Sequence, residues 1–365
     1  MSLKIGIVGL PNVGKSTVFN ALTHAQNAEV ANYPFCTIQP NRAIVPLRDE
    51  RLNRLKELSG VPEAIFATIE FVDIAGLVRG ASRGEGLGNQ FLGNIRDVDA
   101  LVHVVRCFDD PNIVHVHEGI DPRVDFDTIQ LELVIADLEQ LERKIERLIS
   151  AIKGNKKLIP VMETAQGLKT HLEAGLPVSS FPERNDALNT LIHELRFLTA
   201  KPVILAANVD ETGLGSQNAC TRALQNIAAE QRAEFVVLCA KLEEELLGMA
   251  PEDQKELLEL AGAQESGLEQ VVHKSFAALN LISYFTRNEN EVRAWHIQRG
   301  TKAPQAAGVI HTDFERGFIR AEVAAFDIFA AHGSDAALKS AGLLRSEGKE
   351  YIVQDGDIIL FRFNI

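Results

Sequence analysis

Residues 9–16 read Gly-Leu-Pro-Asn-Val-Gly-Lys-Ser, a complete G-x-x-x-x-G-K-[ST] pattern. The pattern follows an apolar, strand-like segment at residues 5–8 and precedes a helix-like pattern at residues 17–22. A strand, a glycine-rich loop and the start of a helix form the context that a phosphate-binding loop requires. Gly9 and Gly14 permit the backbone conformations in which successive N–H groups surround a phosphate. This stretch therefore predicts a nucleotide-binding α/β domain.

Side chains in and after this loop suit a metal-bound triphosphate. Lys15 offers a point charge to the β- and γ-phosphate oxygens, and the Ser16 hydroxyl is a ligand for Mg²⁺. An Asp-x-x-Gly motif, Asp73 to Gly76, ends the apolar run at residues 69–72. We expect Asp73 to hold Mg²⁺, directly or through water, and the Gly76 N–H to contact a γ-phosphate.

Four further positions bear on hydrolysis. Thr37 is a candidate Mg²⁺ ligand, with an ordinary loop threonine as the alternative. Leu77 stands where Ras-like enzymes place the glutamine that orients the attacking water, so hydrolysis must be slow, use another group, or use water activated by the γ-phosphate. Asn12 is a candidate to hold K⁺ against the phosphates. His115 is a candidate for positioning the water, with an ordinary loop histidine as the alternative.

The base-reading motif departs from the guanine-specific pattern N-K-x-D, whose aspartate accepts the guanine N1–H and N2–H₂. After the apolar run at residues 203–207, the sequence from Asn208 to Glu211 has Val209 in place of the lysine and Glu211 in place of the aspartate. A polar group left unpaired there costs about 1–3 kcal/mol, so we expect guanine selectivity to be largely lost. Adenine would instead be read by backbone groups near Val209. Cys239-Ala240-Lys241 stands where the last base-contact loop usually reads Ser-Ala-Lys.

The apolar runs around these motifs predict a parallel sheet within an α/β domain. Such near-continuous Val/Ile/Leu runs are typical of strands covered on both faces, and their alternation with helical patterns gives an α/β domain. The runs lie at residues 4–8, 69–72, 101–105, 203–207 and 235–239.

A helical segment interrupts this domain. Apolar residues recur in a 3-4 rhythm from Leu131 through Leu138, Leu141 and Leu148 to Ile152, which predicts a coiled-coil arm. Turns are expected near residues 154–155 and 175–177. A basic cluster lies towards the first turn and is either a solvated helix face or a contact for RNA. Its members are Arg143, Lys144, Arg147, Lys153, Lys156 and Lys157.

The last part of the chain predicts a small α+β domain. Strands are expected at residues 281–285, 294–298 and 318–323, a helix at 335–341, and a hairpin-like strand pair within 351–361. The predicted domains are a P-loop domain formed by residues 1–127 and 200–278, the helical insertion at 128–199, and the final domain at 279–365.

Composition narrows the partners. The 365 residues carry a formal net charge of −13, which argues against a sequence-nonspecific DNA coat but leaves RNA or ribosome binding open through a local basic patch. No apolar stretch approaches a membrane span, and the first residues lack the features of a signal peptide. The four cysteines are scattered, which favours a reducing compartment. We expect a cytoplasmic protein with no membrane partner and no sequence-specific DNA binding.

The motifs together resemble those of the Obg-like ATPases, the YchF family of P-loop proteins. The resemblance covers essentially the whole chain. It rests on the loop at residues 9–16, Pro-Phe-Cys-Thr-Ile at 34–38, Phe-Val-Asp-Ile-Ala-Gly-Leu-Val at 71–78, the glycine-rich run at 80–92, and Asn-x-x-Glu at 208–211.

The resemblance implies a G domain interrupted by a coiled coil and followed by a TGS domain of ubiquitin-like β-grasp fold. It implies ATP hydrolysis in preference to, or alongside, GTP hydrolysis, and association with ribosomes, translation and oxidative-stress responses. By resemblance, Asn12, Val13, Gly14, Lys15, Ser16 and Thr17 hold the phosphates. Ser16 and Thr37 hold Mg²⁺, the backbone at Val209 reads adenine, and His115 serves hydrolysis.

The sequence therefore predicts a Mg²⁺-dependent ATPase that switches with its nucleotide on the ribosome or an RNA-containing partner, with RNA bound in a cleft formed by the arm and the TGS domain. Two alternatives stay open. One is a conventional guanine-specific GTPase, and the other is a nucleotide-stabilised RNA- or ribosome-binding module with incidental turnover. A P-loop kinase would need an acceptor pocket that the sequence does not reveal.

Overall fold

The computed structural model describes residues 3–29, 41–74, 87–113 and 119–364. Its strands are β1 Leu3–Val8, β2 Arg42–Pro46, β3 Glu63–Ile65, β4 Thr68–Asp73, β5 Ala100–Arg106, β6 Val203–Asn208, β7 Glu234–Leu238, β8 Leu281–Arg287, β9 Glu291–Gln298, β10 Phe318–Ala325, β11 Arg345–Glu347 and β12 Asp357–Phe363. Its α-helices are α1 Lys15–Glu29, α2 Glu50–Ser59, α3 Leu87–Arg96, α4 Pro122–Ile152, α5 Ile159–Glu173, α6 Asp186–Leu195, α7 Glu211–Leu214, α8 Ala219–Gln231, α9 Ala240–Glu245, α10 Pro251–Leu260, α11 Gly267–Ala278, α12 Ala303–Ile310, α13 Thr312–Arg316, α14 Phe326–His332 and α15 Asp335–Ser340.

The chain folds into two compact units. The N-terminal unit comprises Leu3–Ile44 and Glu70–Ala278, and the C-terminal unit comprises Val45–Ile69 and Leu279–Ile365. The N-terminal unit contains the sheet β2-β4-β1-β5-β6-β7. The strand pairs β1–β5, β5–β6 and β6–β7 are all parallel. The sheet confirms the predicted fold class, and its parallel strands bring the loops after β1, β5, β6 and β7 to one edge, where ligands bind in open α/β sheets.

The arm is built from α4, α5 and α6, as the 3-4 rhythm predicts. Helix α4 is capped by Asp121, whose carboxylate accepts N–H bonds from Arg123 and Val124, and runs without a break from Pro122 to Ile152. Val134, Leu141 and Leu148 of α4 pack in one buried cluster with residues of α5 and α6. Leu131, the first residue of the predicted seam, is instead half exposed. The apolar seam of the arm therefore begins at Val134.

The C-terminal unit is larger at its start than the sequence indicates. Its sheet has the order β11-β10-β12-β8-β9-β3, so it includes a strand from the first 127 residues. Strand β3 pairs in parallel with β9, through Glu63–Glu291 and Ala64–Val292. Leu52 and Leu55 of α2 lie in the same buried cluster as Phe285 of β8. Residues 45–69, which the sequence assigned to the P-loop domain, thus complete the core of the C-terminal unit.

The end of the chain also differs from the sequence prediction of a hairpin within 351–361. Strand β12 pairs antiparallel with β10 and parallel with β8, and the segment before it forms only an isolated bridge between Ile352 and Lys302. Asp357 accepts hydrogen bonds from the Tyr351 hydroxyl and the Gln354 N–H, which fold this segment into a turn. The hairpin prediction was wrong because the strand's partners lie elsewhere in the sheet.

Among the residues that the structure describes, no helix is both long enough and apolar enough to cross a bilayer.

Candidate functional site

The loop between β1 and α1 has the backbone geometry that its glycines predict. Gly9, Asn12 and Gly14 all have positive φ, at 155°, 60° and 98°. A Cβ atom added to Gly9 would overlap the carbonyl oxygen of Val104, and one added to Gly14 would overlap the side-chain amide of Asn208. Neighbouring strands therefore leave no room for larger residues, and the loop is held tightly against the edge of the sheet.

Lys15 lies inside the curve of this loop. Its side chain is 7% exposed, and its Nζ donates a hydrogen bond of 2.7 Å to the carbonyl oxygen of Leu10. Burial lowers the pKa of Lys15, while the nearby charge of Asp73 acts in the opposite direction. Ser16 is exposed and Thr17 half-buried in the first turn of α1. The ammonium and the first-turn hydroxyls thus lie where a phosphate on the helix N-terminus would meet them.

Asp73 ends β4 with a buried carboxylate oxygen that lacks a protein partner. Its backbone N–H donates to the carbonyl of Asn41 at 3.1 Å, but its Oδ1 has no hydrogen-bond partner among the described residues. Burial raises the pKa of Asp73, and the charge of Lys15 opposes that shift. A buried acceptor without a donor suits a cation or its water, and carboxylate and hydroxyl oxygens are ligands that Mg²⁺ prefers. Asp73 and Ser16 therefore fit the predicted metal site.

Asn208 ties the phosphate loop to the base-side loop. It is 3% exposed at the end of β6. Its Nδ2 donates to the carbonyl of Val13 at 2.9 Å, and its Oδ1 accepts from the N–H of Ala240 at 3.0 Å. One side chain thus fixes the distance between the loop that would hold phosphates and the start of α9.

Two of the predicted base-contact residues turn their side chains away from solvent. Val209 and Cys239 are buried in one apolar cluster with Leu242. The Val209 N–H donates to the carbonyl of Leu238 at 2.8 Å, so this N–H is already used within the protein. Burial raises the pKa of the Cys239 thiol, so this thiol is neutral at pH 7. Contact at these two positions would therefore be made by backbone atoms.

Glu211 is half exposed at the first position of α7 and forms an ion pair. Its Oε1 accepts from the Nζ of Lys241 at 2.8 Å, and Lys241 also lies 3.7 Å from Glu245. The carboxylate of Asp210 is held in place as the cap of α7, because its Oδ1 accepts from the Gly213 N–H at 2.9 Å. The sequence placed Lys241 in the last base-contact loop but did not indicate its ion pair with Glu211, because the two residues lie on separate loops 30 positions apart.

Sequence reasoning also missed Arg106, which ends β5 and is 1% exposed. Its guanidinium donates to the carbonyls of Phe108, Asp110 and Ile113, and so holds the following loop on the edge of the sheet where the phosphate loop lies. His103, three residues earlier in β5, is fully buried, and burial lowers its pKa to about 3. A single Arg or His inside an apolar run gives no indication in the sequence that it is buried or that it holds a neighbouring loop.

The structure brings together Asn12, Val13, Gly14, Lys15, Ser16, Thr17, Asp73, Asn208, Val209, Glu211, Cys239 and Ala240 on the N-terminal unit. Thr37, Gly76 and His115, which the sequence predicts for Mg²⁺, the γ-phosphate and hydrolysis, lie outside the described residues.

Comparisons with known proteins agree with this architecture. A family model described as a 50S ribosome-binding GTPase matches residues 4–163, and the YchF-GTPase_C model, described as a protein of unknown function, matches residues 281–364. Curated proteins named "Ribosome-binding ATPase YchF" match over 100% of both chains, at 49% identity in Bacillus subtilis and 46% in Escherichia coli O157:H7.

The solved structure of the Schizosaccharomyces pombe YchF GTPase covers 99% of this chain with 98% of its own, at a TM-score of 0.88 and 38% identity. These matches confirm the resemblance seen in the sequence, including the P-loop domain and the distinct C-terminal domain. Because full-length relatives share nearly half of its residues, the chain belongs to the YchF family of P-loop proteins.

Proposed function

We propose that this chain is a Mg²⁺-dependent ATPase that hydrolyses ATP to ADP and phosphate, with GTP a poorer substrate, and that it binds the ribosome as a nucleotide-gated switch in the cytoplasm. The observation that carries the proposal is the tight phosphate loop coupled through Asn208 to an altered base motif, in a family whose curated members are named ribosome-binding ATPases. The loop supports triphosphate binding, and the altered motif supports adenine over guanine.

Each predicted contact has a role in this proposal. The N–H groups from Asn12 to Thr17 bind the phosphates, and Lys15 leaves the Leu10 carbonyl to reach the β- and γ-oxygens. On the base side, the Val209 carbonyl accepts from the N6 amino group of adenine. Asn208 positions the two loops, and Ala240 and Cys239 line the base through their backbone. Gly76 contacts the γ-phosphate through its N–H.

Mg²⁺ is the proposed cofactor, held by Ser16, Thr37 and Asp73. The partnerless Oδ1 of Asp73 supports this assignment. When bound, the metal neutralises charge on the phosphate oxygens. Asn12 is the proposed contact for an activating K⁺, and a comparison of hydrolysis rates in KCl and NaCl tests it.

Hydrolysis proceeds without a glutamine after Gly76, because that position is Leu77. We propose His115 as the residue that positions the attacking water. Arg106 supports this assignment indirectly, since its three bonds to backbone carbonyls anchor the loop that leads towards His115. Without this glutamine we expect slow turnover by the protein alone, as in a switch whose partner accelerates hydrolysis.

The arm offers a surface for an RNA-containing partner. Arg143, Arg147, Lys153, Lys156 and Lys157 are exposed, and none of them forms an ion pair with another described residue. Unpaired cations release counterions when they meet phosphates, so this group supports contact with ribosomal RNA despite the net charge of −13.

Calorimetry with ATP and GTP in Mg²⁺ tests the nucleotide assignment. ATP should bind at least several-fold more tightly, and equal or reversed affinities would overturn it in favour of a guanine-specific GTPase. Glu211→Asp should improve GTP binding, because the shorter carboxylate restores the guanine acceptor. Cosedimentation with purified ribosomal subunits, with an ATP analogue, ADP or no nucleotide, tests the switch: nucleotide-independent binding would indicate a binding module with incidental turnover.

A further inference from the structure

We propose that Lys241 determines which purine the site accepts, by holding Glu211 and by presenting hydrogen-bond donors where guanine needs acceptors. This inference rests on the proposed nucleotide site and adds a residue that decides its specificity. The ion pair of 2.8 Å between Lys241 and Glu211 is its starting point.

The two partners are attached to elements whose spacing is fixed. Glu211 begins α7, two residues after Val209, whose N–H donates to Leu238. Lys241 follows Ala240, whose N–H donates to Asn208. These bonds and the parallel pairing of β6 and β7 fix the backbones of the two loops relative to each other. The distance that the ion pair spans is therefore fixed as well. Glu245 on the other side of Lys241 favours the same placement of the ammonium.

The ion pair changes the hydrogen-bonding character of this position. Guanine presents N1–H and N2–H₂ and needs an acceptor, whereas adenine presents an unprotonated N1 and needs a donor. An ammonium donates and never accepts. Glu211 retains a carboxylate that could accept from guanine, but Lys241 occupies one of its oxygens and places a positive charge beside the other. The site thus disfavours the N1–H and N2–H₂ donors of guanine, whereas the ammonium can donate to the unprotonated N1 of adenine.

No neighbouring carboxylate in this motif replaces Glu211 as the guanine acceptor. Asp210 is one residue earlier, but its Oδ1 accepts from both the Gly213 N–H and the Thr212 hydroxyl, which fixes it as the cap of α7. Turning Asp210 towards a base would break both bonds. Access of guanine therefore depends on whether Lys241 releases Glu211.

Lys241→Ala tests the proposal directly. Both partners are well exposed, at 72% and 50%, so the pair is weakly stabilising and the folded protein should survive its loss. We expect the ratio of the GTP to the ATP dissociation constant to fall about fivefold in calorimetry with Mg²⁺, mostly through tighter GTP binding. Lys241→Arg, which keeps a donor-only cation, should retain the wild-type ratio.

The double variant Glu211→Gln/Lys241→Ala should lose the gain in GTP binding, because no carboxylate is released. Lys255→Ala is the matched control, since Lys255 is an equally exposed lysine paired with Glu259 on α10. In the wild type, raising the salt concentration should lower the ratio of the GTP to the ATP dissociation constant, because salt screens the ion pair. Lys241→Ala should remove this salt dependence.

An unchanged ratio in Lys241→Ala, or an equal change in Lys255→Ala, would overturn the inference while leaving ATP binding intact. Failure of the wild type to bind either nucleotide would instead overturn the proposed function.

Discussion

Replacing Asn208 with alanine should separate the phosphate loop from the start of α9. The substitution removes the 2.9 Å bond to the Val13 carbonyl and the 3.0 Å bond from the Ala240 N–H, in a position that is 3% exposed. Each buried group left without a partner costs about 1–3 kcal/mol, and water entering the space recovers part of that cost. We expect the free energy of unfolding to fall by about 2–4 kcal/mol.

The same change should weaken nucleotide binding beyond its effect on stability. Val13 lies within the loop whose N–H groups must converge on phosphate, so releasing its carbonyl lets the loop sample other conformations. Binding must then order the loop, and a loss of about 2 kcal/mol corresponds to an affinity about thirtyfold lower. ATP and GTP should lose affinity together, because Asn208 uses both of its polar groups within the protein.

Asn218→Ala is the matched control for this experiment. Asn218 also uses its whole amide internally, donating to the Cys107 carbonyl at 2.8 Å and accepting from the Thr221 N–H at 2.7 Å as the cap of α8. Its loss should cost about 1–2 kcal/mol of stability but leave ATP affinity unchanged. Urea unfolding and calorimetry on both variants separate the two effects. If Asn208→Ala binds ATP as tightly as Asn218→Ala does, Asn208 does not hold the phosphate loop in its binding conformation.

Three further substitutions test neighbouring parts of the molecule. Gly14→Ala places a Cβ against the Asn208 amide at a φ of 98°, so it should lower ATP affinity at least about tenfold in calorimetry. Gly60→Ala is the control, because Gly60 also has a positive φ but has open space around it, and this variant should keep its ATP affinity. Asp73→Ala should lower Mg²⁺-dependent hydrolysis about a hundredfold while ADP binding in EDTA stays within about threefold; full activity in a Mg²⁺ titration would contradict the metal assignment. Asp137, fully buried, accepts from the N–H groups of Leu198 and Thr199, and burial raises its pKa to about 6. The native state therefore binds the proton of the Asp137 carboxyl more tightly than the unfolded chain does. In urea unfolding, the stability of the wild type relative to Asp137→Asn should increase as pH falls from 7 to 4.5. A stability difference that does not change with pH would refute this prediction.

Much of the N-terminal unit could be predicted because its signals are local. The apolar runs matched β1, β4, β5, β6 and β7, since strands buried on both faces need continuous Val, Ile and Leu. The phosphate loop and the arm were equally readable, because both depend on residues spaced a few positions apart. These features could be assigned without knowing which distant segments touch.

The errors concern pairings between distant segments. Strand β3 has three residues and no alternating pattern, and its place in the C-terminal unit comes from its pairing with β9 and from the packing of Ala64 against the core of that unit. Strand β12 was expected to pair with the segment just before it, yet its bonds go to β10 and β8. In both cases the decisive hydrogen bonds join backbones far apart in the chain, and side-chain patterns do not encode them.

The base site shows why a motif match can mislead about specificity. Asn208 agrees with the guanine-type pattern, but its amide is fully used in joining Val13 to Ala240, so its presence reflects the geometry of the two loops and carries no information about the base. Val209 is buried, so its difference from lysine removes a contact without adding a side chain that could replace it. The proposed choice between purines therefore rests on the exposed charges of Glu211 and Lys241, which lie 30 positions apart and meet only in the folded chain.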